Sequence, residues 1–102
     1  MTAGRLPDQF VYELEDGAMG RFGGRGTRVI FDSTLRPQIG SGVLVKTGVG
    51  ELHVRRMRQG RSASHWIAAA PNTDYRDLDS EADGLTVLGV WFGLLGKGLE
   101  DA

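Results

Sequence analysis

The spacing of glycine limits most strongly what this chain can fold into. Sixteen glycines stand among its 102 residues, most of them beside short runs of β-branched and aromatic residues. Glycine weakens a helix interior and readily takes the backbone conformations of tight turns. The pattern predicts short strands joined by turns, hence a mostly-β, partly open, barrel-like domain of about six or more strands with little helix.

The strands can be read in order. "FVYELE", Phe10 to Glu15, sets Phe10, Tyr12 and Leu14 against Val11, Glu13 and Glu15, the period of two of a half-buried strand. "DGAMGRFGGRG" interrupts it as an irregular loop, with one helical turn around Met19 to Phe22. "TRVIFD", Thr27 to Asp32, is a second strand. "VLVK", Val43 to Lys46, follows a connector punctuated by Pro37 and Gly40. "TGVG" predicts a hairpin turn into "ELHVRRM", Glu51 to Met57, where Leu52, Val54 and Arg56 share one face and Glu51, His53 and Arg55 the other. "HWIAAA", His65 to Ala70, is the fifth strand and "LTVLGVWFGLL", Leu85 to Leu95, the last. The one helical competitor, Asp74 to Ala82, is short and polar. A lead-in over 1–9, one domain over 10–96 and a tail over 97–102 result.

Net charge is −1 and the pI is near 6.1, which excludes a polybasic clamp for nucleic acid or anionic lipid. With no cysteine there is no disulfide, iron–sulfur cluster or cysteine-based zinc site, and a reducing compartment fits. The N-terminus carries no apolar signal-peptide region. The longest apolar run covers 11 residues, far below the roughly 20 that a spanning helix needs. A cytoplasmic protein with no membrane partner and no cofactor is expected.

Several tempting features have plainer readings. "GRFGGRG" leads into a strand and has no lysine, so it is a flexible loop and not a phosphate cradle. Arg55, Arg56, Arg58 and Arg61 could touch phosphates, but the following acids Asp74, Asp77, Asp79, Glu81 and Asp83 favour pairing within the chain. Asp16, Asp32, Asp74, Asp77 and Asp79 lack a cation-loop pattern and read as solvated loop carboxylates. His53 and His65 have no third ligand and read as surface histidines. Ser33, Ser41, Ser62, Ser64 and Ser80 read as turn hydroxyls or caps.

The order of the pieces carries more than any one of them. A strand runs into "EDGAM", then a Gly-led apolar strand ending in Asp32, then "GVLV", a tight turn, "HVRRM", "PNTDY" and "LTVLGVW". From about Phe10 to Trp91 this resembles the C-terminal, self-cleaving peptidase domain of LexA, the phage repressors and the UmuD-like proteins. In that family the first turn reads acid-Ser-Met, a lysine lies on the strand after the hairpin, and an Asn-x-x-Tyr element precedes the closing strand. The resemblance implies a Ser–Lys dyad, in which a neutral lysine takes the serine proton. Here the nucleophile position falls on Ala18, a bare methyl, and the base position on Arg55, which cannot act as a base near neutral pH. The other lysines, Lys46 and Lys97, lie elsewhere, and Ala3-Gly4 is too near Ala18 for the family's cleavage bond.

The resemblance therefore implies an inactive oligomerisation and regulatory domain of a phage-repressor-like transcription regulator, not an enzyme, with no catalytic, cofactor or metal residues. Its partner would be itself, as a homodimer or higher, through Val90, Trp91, Phe92 and Leu94. Val90 to Leu94 reads equally well as core strand. DNA would be reached only through an N-terminal helix-turn-helix domain that this sequence lacks. Two alternatives stay open: an active Ser–Lys self-cleaving domain, and a stand-alone module that binds a peptide or protein in the old substrate cleft.

Overall fold

The computed structural model describes residues 8–95. Seven strands form one open antiparallel sheet: β1 (Gln9–Glu13), β2 (Arg28–Asp32), β3 (Gly42–Lys46), β4 (Leu52–Gln59), β5 (Trp66–Ala69), β6 (Leu78–Asp79) and β7 (Thr86–Leu94). Their spatial order is β1-β2-β7-β3-β4-β5-β6, so β1 and β6 form the two edges. The mostly-β expectation holds. Among the described residues the single helical element is the 3-10 turn Gly20–Phe22, on the stretch where one helical turn was expected. The competitor Asp74 to Ala82 is not helical; it holds turns and the two-residue β6. β1 begins at Gln9, inside the expected lead-in. The rest of that lead-in, with Ala3 and Gly4, and the tail with Lys97 lie outside the described residues. No helix among the described residues is long and apolar enough to cross a membrane.

The sheet is apolar on both sides. On β3, Leu44 packs with Leu14, Met19, Val29, Phe31 and Val54, whereas its neighbours Val43 and Val45 pack with Ala68, Leu78 and Val90. Successive strand residues point to opposite faces, so β3 feeds two clusters and appears in the sequence as an unbroken apolar run. β1 does the reverse. Phe10 and Tyr12 turn inward, while Gln9, Val11 and Glu13 stay exposed.

β7 lies between β2 and β3 and carries two irregularities. Its pairing with β3 skips Leu88, and its pairing with β2 skips Phe92. Such bulges bend a strand and increase its twist. Gly89 and Gly42 supply the clearance that the aromatic cluster needs. A Cβ on Gly89 would lie 3.0 Å from Phe31 Cβ, and one on Gly42 would lie 2.9 Å from Trp91 Cβ. Phe31 sits among Phe10, Tyr12 and Trp91 at centroid distances of 6.1, 6.3 and 6.1 Å, within the range of favourable ring pairs. The β3–β4 hairpin closes as "TGVG" predicted: Gly50 N–H donates to Thr47 O at 2.9 Å, and Gly50 has φ +91°, a left-handed value natural to glycine.

Replacing Phe31, which is fully buried, with alanine removes the ring on which three others pack. Urea unfolding of Phe31→Ala is expected to show a loss of about 3–5 kcal/mol. An unchanged midpoint would refute this placement of the core.

Candidate functional site

The two stretches singled out by the resemblance, "EDGAM" and "PNTDY", meet in space. Leaving β1, the chain makes a compact excursion whose ends are tied by Leu14 N–H to Thr27 O and Gly26 N–H to Leu14 O, both 2.8 Å. At its tip the Asp16 carboxylate accepts from the Ala18 N–H at 3.0 Å, a local turn to which aspartate is well suited. Residues more than fifty positions later hold this tip. Gly17 N–H donates to the Tyr75 hydroxyl at 3.1 Å, Asn72 Nδ2 donates to Gly17 O at 3.0 Å, and Asn72 N–H donates to Ala18 O at 2.9 Å. Asn72 also organises its own loop, accepting from the N–H groups of Asp74 and Tyr75.

Ala18 is completely buried, so its methyl group is closed off from solvent. Arg55 on β4 is only 3% exposed. Its Nη1 donates to Val54 O at 2.9 Å, and its Nε has no partner. Burial lowers the pKa of this guanidinium from its ordinary value; the nearby charge of Asp16 opposes the shift, Arg76 adds to it, and Asp77 and Tyr75 again oppose it. Asp16 thus links the two positions: it accepts from the Ala18 amide, and its charge opposes the lowering of the Arg55 pKa. About 20 Å³ of free space borders Asp16, Met19 and His53, room for a single water and no substrate.

Of the residues expected at a self-contact, Val90 is core, and Trp91 is half-buried against Phe31 and Gly42. Phe92 and Leu94 are outward, 57% and 55% exposed. β7 is therefore an interior strand with an apolar exposed end.

Two expectations are corrected. His65 is not a surface histidine but 4% exposed. Its ring lies over Gly60, where any Cβ would collide with it. Its Nδ1 accepts from the Arg61 N–H at 3.0 Å, and its Nε2 lies 2.7 Å from Asp79 Oδ2. A ring accepting at Nδ1 carries its proton at Nε2 and donates it to Asp79. Asp32 and Asp79, likewise, are not merely solvated. Asp32 is buried and accepts from Gln9 Nε2 and from Thr34. Asp79 accepts from the N–H groups of Glu81 and Ala82, which with the His65 bond bring its pKa from 3.8 to about 2.

His65, Asp79 and Glu81 offer ligand atoms within 4.8 Å of one another, and they are the residues here that could hold a metal. Their arrangement opposes it: the Nε2 lone pair is used by a proton, and Arg61 binds Glu81 at 2.8 Å. Two of the four clustered arginines pair within the chain as expected, Arg58 with Asp77 at 3.0 Å and Arg61 with Glu81 at 2.8 Å, whereas Arg55 and Arg56 donate to backbone carbonyls. Sequence reading missed the His65–Asp79 pair, whose members lie 14 residues apart, His65 just before β5 and Asp79 on β6.

Neither a comparison with protein-family models nor one with curated protein sequences gives a significant match.

Tyr75→Phe leaves the Gly17 N–H without its acceptor. A loss of about 1 kcal/mol is expected, with faster hydrogen exchange at the Gly17 amide; unchanged exchange would argue against the interlock. The lowered pKa of Asp79 stabilises the fold above about pH 4, and this stability is lost as pH falls from 3.8 towards about 2. Asp79→Asn should flatten that acid limb in pH-dependent thermal melts, and a limb as steep as the parent's would remove Asp79 from this role.

Proposed function

We propose that this chain is a catalytically inactive self-association and regulatory domain of a phage-repressor-like transcription regulator. The observation that carries this reading is the closed, interlocked turn at Ala18. The turn and the Asn72–Tyr75 loop are held together by three hydrogen bonds, yet a methyl group stands where the family's nucleophile belongs and a buried guanidinium stands where its base belongs. An acyl-transfer site needs an accessible oxygen and a group able to take its proton. Neither is supplied at these positions.

The exposed Phe92 and Leu94 at the end of β7 support self-association, because large exposed apolar side chains close together commonly mark a contact surface. Pairing two such domains would join two DNA-binding heads, carried on a separate helix-turn-helix domain. The second head would then bind its half-site at high effective concentration. The absence of cysteine fits a cytoplasmic regulator.

Ala18→Ser alone is expected to remain uncleaved after prolonged incubation at alkaline pH, because Arg55 cannot take the hydroxyl proton. A discrete product from the parent or from this variant, seen by mass spectrometry, would defeat the inactive reading. Sedimentation velocity should show concentration-dependent dimers. Phe92→Ser combined with Leu94→Ser is expected to weaken them by about tenfold or more. A parent that stays monomeric at the highest attainable concentration would sink the self-association reading.

A further inference from the structure

We infer that a cleft centred on Arg56 binds an extended peptide segment carrying a carboxylate side chain between apolar residues. The inference stands independently of self-association, since it uses neither Phe92 nor Leu94. Two hollows adjoin across Gly40 and Arg56. The first, about 280 Å³, is lined by Met19, Phe22, Gly42 and Trp91. The second, about 460 Å³, is lined by Ile39, Met57, Ala69, Ala70 and Pro71. Both volumes suit side chains of a bound segment, and their mixture of apolar walls with few polar groups is typical of ligand clefts.

Arg56 is held ready between them. Its guanidinium lies 4.9 Å from the centroid of the Phe22 ring, and its Nε donates to Gly40 O at 3.2 Å. A stacked, tethered guanidinium is restrained in orientation, so less freedom is lost when it binds. Arg58, Arg61 and Arg76 each have a carboxylate partner, at 3.0, 2.8 and 3.1 Å. No described carboxylate reaches Arg56. The walls of the two hollows contain Arg56 and Arg58 and no acidic residue. Ile39 and Phe22, both large and apolar, are exposed on this surface.

Charge and shape together select the occupant. The two Nη groups of Arg56 form a fork that matches a carboxylate, and the hollows on either side take apolar side chains. In an extended segment, alternate residues fall about 7 Å apart on one face, so apolar residues two positions before and after a central acid can enter the hollows on either side of Arg56. A nucleic-acid backbone needs a longer run of cations than this surface provides.

The test uses a fluorescein-labelled hexapeptide with one glutamate and a leucine two positions to either side of it, its glutamine counterpart, and a labelled single-stranded oligonucleotide, all read by fluorescence anisotropy. The glutamate peptide should bind at least about tenfold more tightly than the glutamine peptide. Arg56→Gln should abolish that difference while leaving the far-ultraviolet circular dichroism and melting temperature near the parent's. Arg58→Gln, as a control with its acid partner inside the chain, should retain most of the preference. Equal binding of the two peptides, a preference that survives Arg56→Gln, or stronger binding of the oligonucleotide would overturn the inference. Should Arg56→Gln unfold, Arg56→Lys supplies the second variant: it keeps the charge, loses the fork, and should lower the preference without removing it.

Discussion

The whole architecture rests on burying β7 from both sides. Its residues divide between two apolar clusters, with Leu88 and Trp91 packed on one and Val87 and Val90 on the other. A strand apolar on both faces is unstable at a sheet edge, where it would template association. Here β2 and β3 cover its two edges. The missing side chain of Gly89 lets Phe10 and Phe31 close over the strand. The two bulges then let one strand serve neighbours that follow different pleats.

Around this frame, polar groups do the work of joining distant loops. Asn72 and Tyr75 hold the Gly17–Ala18 tip, and Arg58 and Arg76 tie the acidic loop to Asp77 and Asp83. The Asp79 carboxylate gathers two backbone N–H groups and the His65 ring. Arg55 is the exception. A buried guanidinium with an unpartnered Nε is costly, and the nearby Asp16 and Asp77 charges offset only part of that cost. Arg55 thus leaves an incompletely satisfied polar group in the interior.

Much of this was visible in the sequence, for identifiable reasons. β1 and the β3–β4 hairpin follow from local alternation and from turn chemistry, so Phe10, Tyr12 and "TGVG" suffice to place them. The resemblance singled out "EDGAM" and "PNTDY" but not their contact, because no local rule joins residues 58 positions apart. β6 has two residues and hence no period to detect. The burial of His65 and Asp32 was illegible because each is buried only through partners brought from elsewhere: Asp79 for one, Gln9 for the other. Arg56 escaped notice as one of four arginines, since what sets it apart is the absence of an acid near it in space.

The placement of β7 also governs how such a chain is made. It is synthesised after the other six strands, yet it completes the sheet between β2 and β3, which were made well before it. Until it arrives, β2 and β3 each present an unsatisfied edge, and Phe31 and Leu44 lack part of their cover. Nonlocal pairing of this kind slows folding and lengthens exposure to aggregation. The cell's chaperones would therefore meet a half-built sheet waiting for its keystone, and the arrival of β7 would decide whether it closes or clumps.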